Sequence, residues 1–148
     1  MNAIELLKAD HDVVDKLFQK VDATEESEHP KIFEKIKAEL EVHTHIEEAI
    51  FYPLLIEKGD KELVDITKEG IEEHRQAKMF LREMANLADD SEKFEPKLTV
   101  LMEDIKHHVM EEEGEMFKMV EKQFDAKELE EVGKALEAEK KKTKAANA

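Results

Sequence analysis

The chain has no cysteine, no tryptophan, only three prolines and only four glycines among its 148 residues. Without cysteine it cannot form disulfides, thiolate zinc sites or iron–sulfur clusters. Aromatic residues make up 5% of the chain, and β-branched residues never alternate with the two-residue period of a strand. Because the helix formers Glu, Lys, Ala and Leu dominate what remains, the composition predicts an all-α protein of one domain.

Long apolar runs are also missing, and none approaches the roughly 20 residues that a membrane span needs. The first residues, "MNAIELLKAD", carry charges at Glu5, Lys8 and Asp10 and do not resemble a signal peptide. The 38 acidic residues outnumber 23 basic ones, and the net charge of −15 repels nucleic acid and anionic lipid. We therefore expect a cytoplasmic protein with neither a nucleic-acid partner nor a membrane partner.

Turn-forming and polar stretches divide the chain into four long helical segments, at about 2–21, 30–57, 61–87 and 95–122. Pro30 and Pro96 fall at first helical turns, where the missing N–H has no intrahelical partner. Pro53 is expected to kink the second helix or to end it early. Four segments of this length with short connections predict an antiparallel up-down-up-down bundle over residues 1–124.

The C-terminal residues 125–148 are predicted to form a separate, shorter element. Asp125 and Glu128 have the spacing of a capping box, which indicates a short fifth helix. The closing "EKKKTKAANA" is expected to be a disordered basic tail. Its lysines are the surface on which a protein partner would most naturally bind.

Each long helix has an inward stripe of residues at alternating steps of three and four. The stripes are Ile4, Leu7, His11, Val14, Phe18 and Val21; then Ile36, Leu40, His43, Glu47, Ile50 and Leu54; then Leu63, Thr67, Gly70, His74, Ala77, Leu81 and Met84; and finally Leu98, Leu101, Ile105, His108, Glu112, Met116 and Met119. One histidine interrupts every stripe, and in the second and fourth helices a glutamate follows it by four residues.

This pattern predicts a metal site in the middle of the bundle. An uncompensated carboxylate in a core costs several kcal/mol, whereas a cation satisfies carboxylates and imidazoles together. Residues four apart lie on one helix face, about 6 Å from each other. The candidate ligands are His11, His43, Glu47, His74, His108 and Glu112. The alternative is that each is an ordinary polar core residue, as single buried histidines commonly are.

Other polar residues have simpler interpretations. His29 falls in a loop, and His45 is turned about 200° from His43 and should face outward. His107 lies beside the stripe, where it either supports the site or is solvated. Glu48 and Glu111 are candidates to hydrogen-bond site histidines, whereas Glu113 and Glu115 are predicted to lie on the surface. Gly70 either makes room for the site or is a packing glycine, and Lys78 either stays neutral in the pocket or extends to solvent.

Four motifs resemble the hemerythrin-like, or HHE cation-binding, family: "LLKADHDVV" at 6–14, "HTHIEEAIFYP" at 43–53, "EEHRQAK" at 72–78 and "HHVMEEEGEMF" at 107–117. The resemblance covers about residues 1–122. It implies a four-helix bundle that holds two iron ions, cycling between Fe2+ and Fe3+, with a water, hydroxide or oxo bridge. It assigns the six candidate residues as ligands and Glu47 and Glu112 as bridging carboxylates.

The chain departs from the oxygen-carrying members of that family. Those members have His-x-x-x-His on the third helix, where this chain has His74 and Lys78, and an aspartate one position beyond Glu112. The resemblance is therefore to a branch with four histidines and two carboxylates, which leaves open coordination positions. Such a centre suits a small oxidant.

The resemblance implies a non-haem di-iron protein that binds or processes O2, NO or peroxide. The expected apolar wall of its pocket comprises Leu7, Val14, Ile50, Phe51, Leu81 and Ile105. Whether it is an enzyme stays open, and if it is one, peroxide decomposition is the expected reaction. The alternatives are an iron- or oxygen-sensing module without turnover and, with least weight, a metal-free interaction bundle.

Overall fold

The structure, a computed structural model, describes residues 1–147. Its α-helices are α1 (Ala3–Asp22), α2 (His29–Ile46), α3 (Tyr52–Lys58), α4 (Lys61–Ala85), α5 (Phe94–Glu111), α6 (Phe117–Gln123) and α7 (Ala126–Asn147). Two π-helical segments, π1 (Glu47–Phe51) and π2 (Glu112–Met116), join α2 to α3 and α5 to α6 without a break. The predicted all-α, antiparallel bundle is confirmed: α1, α2–π1–α3, α4 and α5–π2–α6 are its four long helices.

The buried faces of α1 and α4 are those that the three-and-four spacing predicts, because every residue of both stripes is buried. The stripe of the second long helix is correct only as far as Glu47, and that of the fourth is correct as far as Met116. Beyond Glu47 the buried residues are Phe51 and Leu55 rather than Ile50 and Leu54. Beyond Glu112, Val120 takes the buried place that we predicted for Met119.

The two π segments explain this shift of one residue. The amide of Tyr52 donates to the carbonyl of Glu47, and the amide of Phe117 donates to that of Glu112, in each case five residues back. Each wider turn therefore inserts one extra residue and rotates everything after it. Pro53 lies just after π1, and the helix continues past it to Lys58. Proline is not the common cause, since π2 has none; both π segments begin at a buried glutamate.

The C-terminal segment differs from the expected short helix and disordered tail, because α7 runs unbroken from Ala126 to Asn147. The predicted capping box at its start is present: Glu128 N donates to Asp125 Oδ1 at 2.8 Å, and Asp125 N donates to Glu128 Oε1 at 3.3 Å. Leu129 and Leu136 of α7 are buried in a hydrophobic cluster with residues of α1 and α2. Packing against the bundle therefore orders a stretch whose composition alone indicates disorder.

Two hydrophobic clusters fill the bundle, and the four histidine positions lie between them along the helices. One cluster includes Leu7 and Ile46, and the other includes Val14 and Leu40. His11 thus falls between the clusters on α1, and His43 does so on α2. Within residues 1–147, no helix combines the length and the apolar character that crossing a membrane requires.

His29 is a buried residue rather than the loop residue that we expected. It is the first residue of α2; its Nε2 faces the carbonyl of Val21 at 2.8 Å, and its Nδ1 faces Glu95 Oε1 at 2.8 Å. Burial lowers the pKa of His29, but the hydrogen bond and charge of Glu95, together with the carbonyls, outweigh it and raise the pKa above its ordinary value. Protonated His29 therefore ties the end of α1 to the start of α5.

This contact predicts a pH-dependent loss of stability in Glu95→Gln. A group whose pKa is raised on folding stabilises the fold fully below its unfolded pKa, and that contribution is lost as pH rises through the folded pKa. We expect urea unfolding to show Glu95→Gln less stable by about 1 kcal/mol at pH 5.5, with a smaller difference at pH 8.5. The exposed Glu92→Gln serves as the control. A difference that does not change with pH would contradict a protonated His29.

Candidate metal centre

The six residues predicted from the sequence meet in the middle of the bundle, where each is between 0% and 6% exposed. Their donor atoms form two groups of three, each with all atoms within 4.8 Å of one another: His11, His43 and Glu112 in one group, and Glu47, His74 and His108 in the other. The geometry of each group is suitable for one cation. We call the six residues together the inner cluster.

Each of the two glutamates belongs to one group and also reaches a histidine of the other. Glu47 Oε1 is 3.0 Å from His43 Nε2 and 3.2 Å from His74 Nε2, and these histidines belong to different groups. Glu112 directs Oε1 at His11 Nε2, 3.0 Å away, and Oε2 at His108 Nε2, 3.3 Å away. Each carboxylate therefore reaches both groups, which is the position that a bridging ligand requires.

Every histidine of the inner cluster turns Nε2 inward and Nδ1 toward a second carboxylate. These outer pairs are His11 with Glu113 at 2.6 Å, His43 with Asp10 at 3.0 Å, His74 with Glu48 at 2.8 Å, and His108 with Glu73 at 2.6 Å. A carboxylate at Nδ1 fixes the tautomer and the ring orientation and makes Nε2 a better donor to a metal. All four imidazoles are thus held as metal ligands usually are.

Among these outer carboxylates, the sequence had indicated only Glu48. The sequence predicts Glu113 on the surface, but its carboxylate contacts His11; Asp10 and Glu73 are not among the predicted site residues. Glu111 was the other candidate partner, and it contacts the exposed His107 instead, at 3.4 Å. A carboxylate next to a histidine in sequence, as in Asp10-His11, was the available signal, but Asp10 serves a histidine of another helix.

Tyr52 is a further residue of the centre. Its buried hydroxyl donates a short hydrogen bond to Glu112 Oε2 and lies 3.3 Å from His74 Nε2. Gly70 lies against this phenol: a Cβ added there would stand 3.4 Å from the Tyr52 oxygen and 3.5 Å from His108 Cε1, which are ordinary van der Waals distances.

Five buried polar atoms of the inner cluster have no hydrogen-bond partner: His11 Nε2, His43 Nε2, Glu112 Oε1 and both carboxylate oxygens of Glu47. Leaving buried polar groups unpaired is costly, and charged groups most of all. Four of them face one another only as ion pairs, His11 Nε2 with Glu112 Oε1 and His43 Nε2 with Glu47 Oε1, each at 3.0 Å. Oxygen and imidazole nitrogen donors suit iron and other divalent transition metals, so the residues present fit a pair of such ions.

Comparison with known proteins agrees with this geometry. The family model of the hemerythrin HHE cation binding domain matches residues 2–120. The chain belongs to the hemerythrin HHE cation-binding family. A crystal structure of a hemerythrin HHE cation binding domain-containing protein from Mycobacterium kansasii is similar, with a TM-score of 0.83 and 25% identity over 99% of this chain and 89% of that chain. No curated protein sequence matches significantly.

The pKa values of two histidines in this HHE domain show that the buried carboxylates of the inner cluster need positive charge beside them. Burial lowers the pKa of His43, but Glu47 and Asp10 outweigh it and raise the pKa to about 10. Burial likewise lowers the pKa of His108, and its hydrogen bonds with Glu112 and Glu73 raise it to about 11. Without a metal, protons on His43 and His108 therefore balance the buried carboxylates. A metal ion would take over the role of those protons.

A small cavity lies against the four histidines of the HHE domain, on the side away from Tyr52. Its volume is about 20 Å³, and its remaining walls are Val14, Leu40, Thr44, Ile105 and Val109. Of the predicted apolar wall, Val14 and Ile105 are in place, whereas the other four residues lie elsewhere in the core. An outer groove of about 260 Å³ shares His11, Val14, Ile105 and Val109 with the cavity and opens beside the exposed Met110.

The remaining predicted side chains fall where the simpler interpretations put them. His45 is exposed and contacts Glu139 of α7 at 2.8 Å. His107 is exposed beside Glu73 and Glu111 and does not contact the inner cluster. Lys78 extends toward solvent and donates to Glu48 at 2.6 Å, so it supports His74 from outside rather than entering the pocket.

Proposed function

We propose that this HHE domain holds two iron ions in the inner cluster and there binds or processes a small oxidant: O2, NO or peroxide. Glu47 and Glu112 would bridge the ions, and two histidines would complete the protein ligands of each. The observation that carries the proposal is that five buried polar atoms of the two three-residue groups make no hydrogen bond, in a cluster where the donor atoms of each group lie within 4.8 Å of one another. Iron with mixed imidazole and carboxylate ligands and open positions supplies redox chemistry with small oxidants.

The protein's own residues would control access to the centre. The cavity of about 20 Å³ has room for about one water-sized molecule. Val14, Ile105 and Val109 separate it from the outer groove, and their apolar side chains limit the approach of water. The pocket thus favours a diatomic molecule or hydrogen peroxide over any bulkier oxidant. Tyr52, on the other side, holds Glu112 through its hydroxyl proton.

A sensing role without turnover is the second candidate, and one observation favours it. The four outer carboxylates belong to α1, π1, α4 and π2, so the metal centre ties together all four long helices. Because metal binding adds its free energy to folding, occupancy would change the stability of the whole bundle. A partner could then respond to the folded state.

The test is iron analysis followed by an oxidant assay. We expect about two irons per chain after anaerobic loading, and oxygen evolution when hydrogen peroxide is added. tert-Butyl hydroperoxide should react far more slowly than hydrogen peroxide, because it does not fit the cavity. Ile105→Ala shortens a side chain of the cavity wall and should therefore reduce the ratio between the two rates. Ile56→Ala, a partly exposed position on α3, is the control. Two bound irons without turnover would favour the sensing role, and zinc or no bound metal would contradict both.

A further inference from the structure

The C-terminal helix reaches the inner cluster through one continuous series of side chains. Lys140 Nζ of α7 donates a short hydrogen bond to Asp10 Oδ1 of α1. The other oxygen of Asp10 accepts from His43 Nδ1 at 3.0 Å. His43 Nε2 then faces Glu47 Oε1 at 3.0 Å. Lys140 is therefore two contacts away from a proposed metal ligand, although it is nearly 100 residues further along the chain than that ligand.

The ion pair between Lys140 and Asp10 is largely shielded from solvent. The side chain of Asp10 is 4% exposed, and that of Lys140 is 24% exposed. A carboxylate taken out of water needs a cation or several hydrogen-bond donors, and Asp10 has one donor for each oxygen. The ammonium of Lys140 thus holds Asp10 in place and offsets part of the negative charge that Asp10 directs at His43.

Packing against α1 and α2 holds α7 in the position from which Lys140 reaches Asp10. Gly133 lies so close to the start of α1 that a Cβ there would stand 2.4 Å from the carbonyl oxygen of Met1. Leu129 and Leu136 are buried on the same helix, and Glu139 contacts His45 of α2. Lys140 is therefore part of a docked helix and not a surface lysine that happens to reach Asp10.

The four outer carboxylates differ in whether a lysine is paired with them. Asp10 is paired with Lys140, and Glu48 is paired with Lys78 at 2.6 Å. Within the described residues, Glu73 and Glu113 have no lysine in salt-bridge distance, and both are about one-third exposed. His43 and His74, which both contact Glu47, thus have lysine-paired carboxylates, whereas His11 and His108, which contact Glu112, do not. In addition, α7 lies outside residues 2–120, which the family model matches.

We propose that Lys140 is a positioning residue of the metal centre: through Asp10 it orients His43 and sets how strongly Asp10 draws on the Nδ1 proton of that histidine. Outer carboxylates of metal-bound histidines affect metal affinity by roughly 10- to 100-fold, and hydrogen bonding around ligands tunes reduction potential. The proposal rests on the proposed function, because it requires iron at His43. It makes α7 a part of the centre.

The test compares three variants of the full chain. Lys140→Met removes the charge, Lys140→Arg keeps it, and Lys141→Met removes a charge from the neighbouring side chain, which is 78% exposed. Iron(II) affinity is measured by anaerobic competition with a chelator, reduction potential by spectroelectrochemistry, and folding by thermal denaturation. If Lys140→Met does not purify as a folded protein, Lys140→Gln serves the same purpose.

We expect Lys140→Met to bind iron(II) about tenfold more weakly, because Asp10 is no longer held where it orients the ring of His43. We also expect a more negative reduction potential, since Asp10 without its counter-charge makes His43 a more electron-rich donor. Lys140→Arg and Lys141→Met should match the wild type in both. A Lys140→Met protein that melts earlier but keeps the wild-type potential and affinity would overturn the proposal and leave Lys140 a purely structural contact. A wild-type protein that binds no iron would instead overturn the proposed function.

Discussion

Replacing Glu47 by alanine is expected to abolish binding of both iron ions. Glu47 has no exposed surface, and its Oε1 lies within 3.2 Å of a histidine from each group. Each proposed metal would therefore lose a ligand at once, and the remaining donors would no longer include a carboxylate between His43 and His74. We expect the iron content after loading to fall from about two per chain to near zero, as measured by elemental analysis.

The same variant should lose the stabilisation that metal confers. A ligand that binds only the folded state adds about 2.7 kcal/mol at a concentration 100-fold above its dissociation constant. Iron should thus raise the melting temperature of the wild type and leave that of Glu47→Ala unchanged. Glu115→Ala, an exposed glutamate of π2, is the matched control and should behave as wild type. Glu47→Ala protein that still bound two irons would show that Glu47 is not a bridging ligand.

The second large effect is the pH dependence of metal binding. In the metal-free protein the pKa of His43 is about 10 and that of His108 is about 11, so both are protonated at neutral pH. A metal must displace a proton from each, and each displaced proton costs a factor of ten in apparent affinity for every pH unit below the pKa. Affinity therefore rises with pH throughout the neutral range.

We expect about two protons to be released per loaded chain at pH 7. The overall constant for binding both ions should rise about 100-fold per pH unit between pH 6 and pH 8, which is tenfold for each ion. Indicator dye in weak buffer measures the protons, and chelator competition, corrected for the chelator's own titration, measures the affinity. Glu73→Gln is the informative comparison, because it removes a hydrogen bond that raises the pKa of His108. The pKa of His108 should be lower in this variant, so its proton release should begin to fall at a lower pH than that of the wild type. A pH-independent affinity would mean that the histidines are already neutral without metal.

The inner cluster could be predicted from the sequence because it depends on spacing alone. His11 and His74 interrupt apolar stripes of uninterrupted α-helices, and His43 and His108 each precede their glutamate by one regular turn. Up to that residue, the 3.6-residue period places every side chain correctly. This is why all six residues meet as predicted.

The π segments limited the prediction beyond each glutamate. On a regular α-helix, Tyr52 lies about 140° from Glu47 and would point away from the site. The wider turn of π1 rotates it inward, where its hydroxyl reaches Glu112. Nothing in the local sequence marks such a turn, since π1 precedes a proline and π2 does not.

The C-terminal helix could not be predicted for a different reason. The composition of "EKKKTKAANA" is that of a solvated tail, and the order of its described residues, 139–147, comes from contacts with residues far away in the chain. Lys140 pairs with Asp10 across 130 positions, and Gly133 packs on Met1. Tertiary packing of this kind leaves no periodic signal in the segment that it orders.

The most direct measurement is a crystal structure of the iron-loaded protein with anomalous diffraction data collected on both sides of the iron absorption edge. We predict two iron peaks in each chain, one among His11, His43 and Glu112 and one among Glu47, His74 and His108, with both glutamates contacting both ions. A single peak, peaks outside the inner cluster, or glutamates turned away from the metal would contradict the bridged two-iron centre.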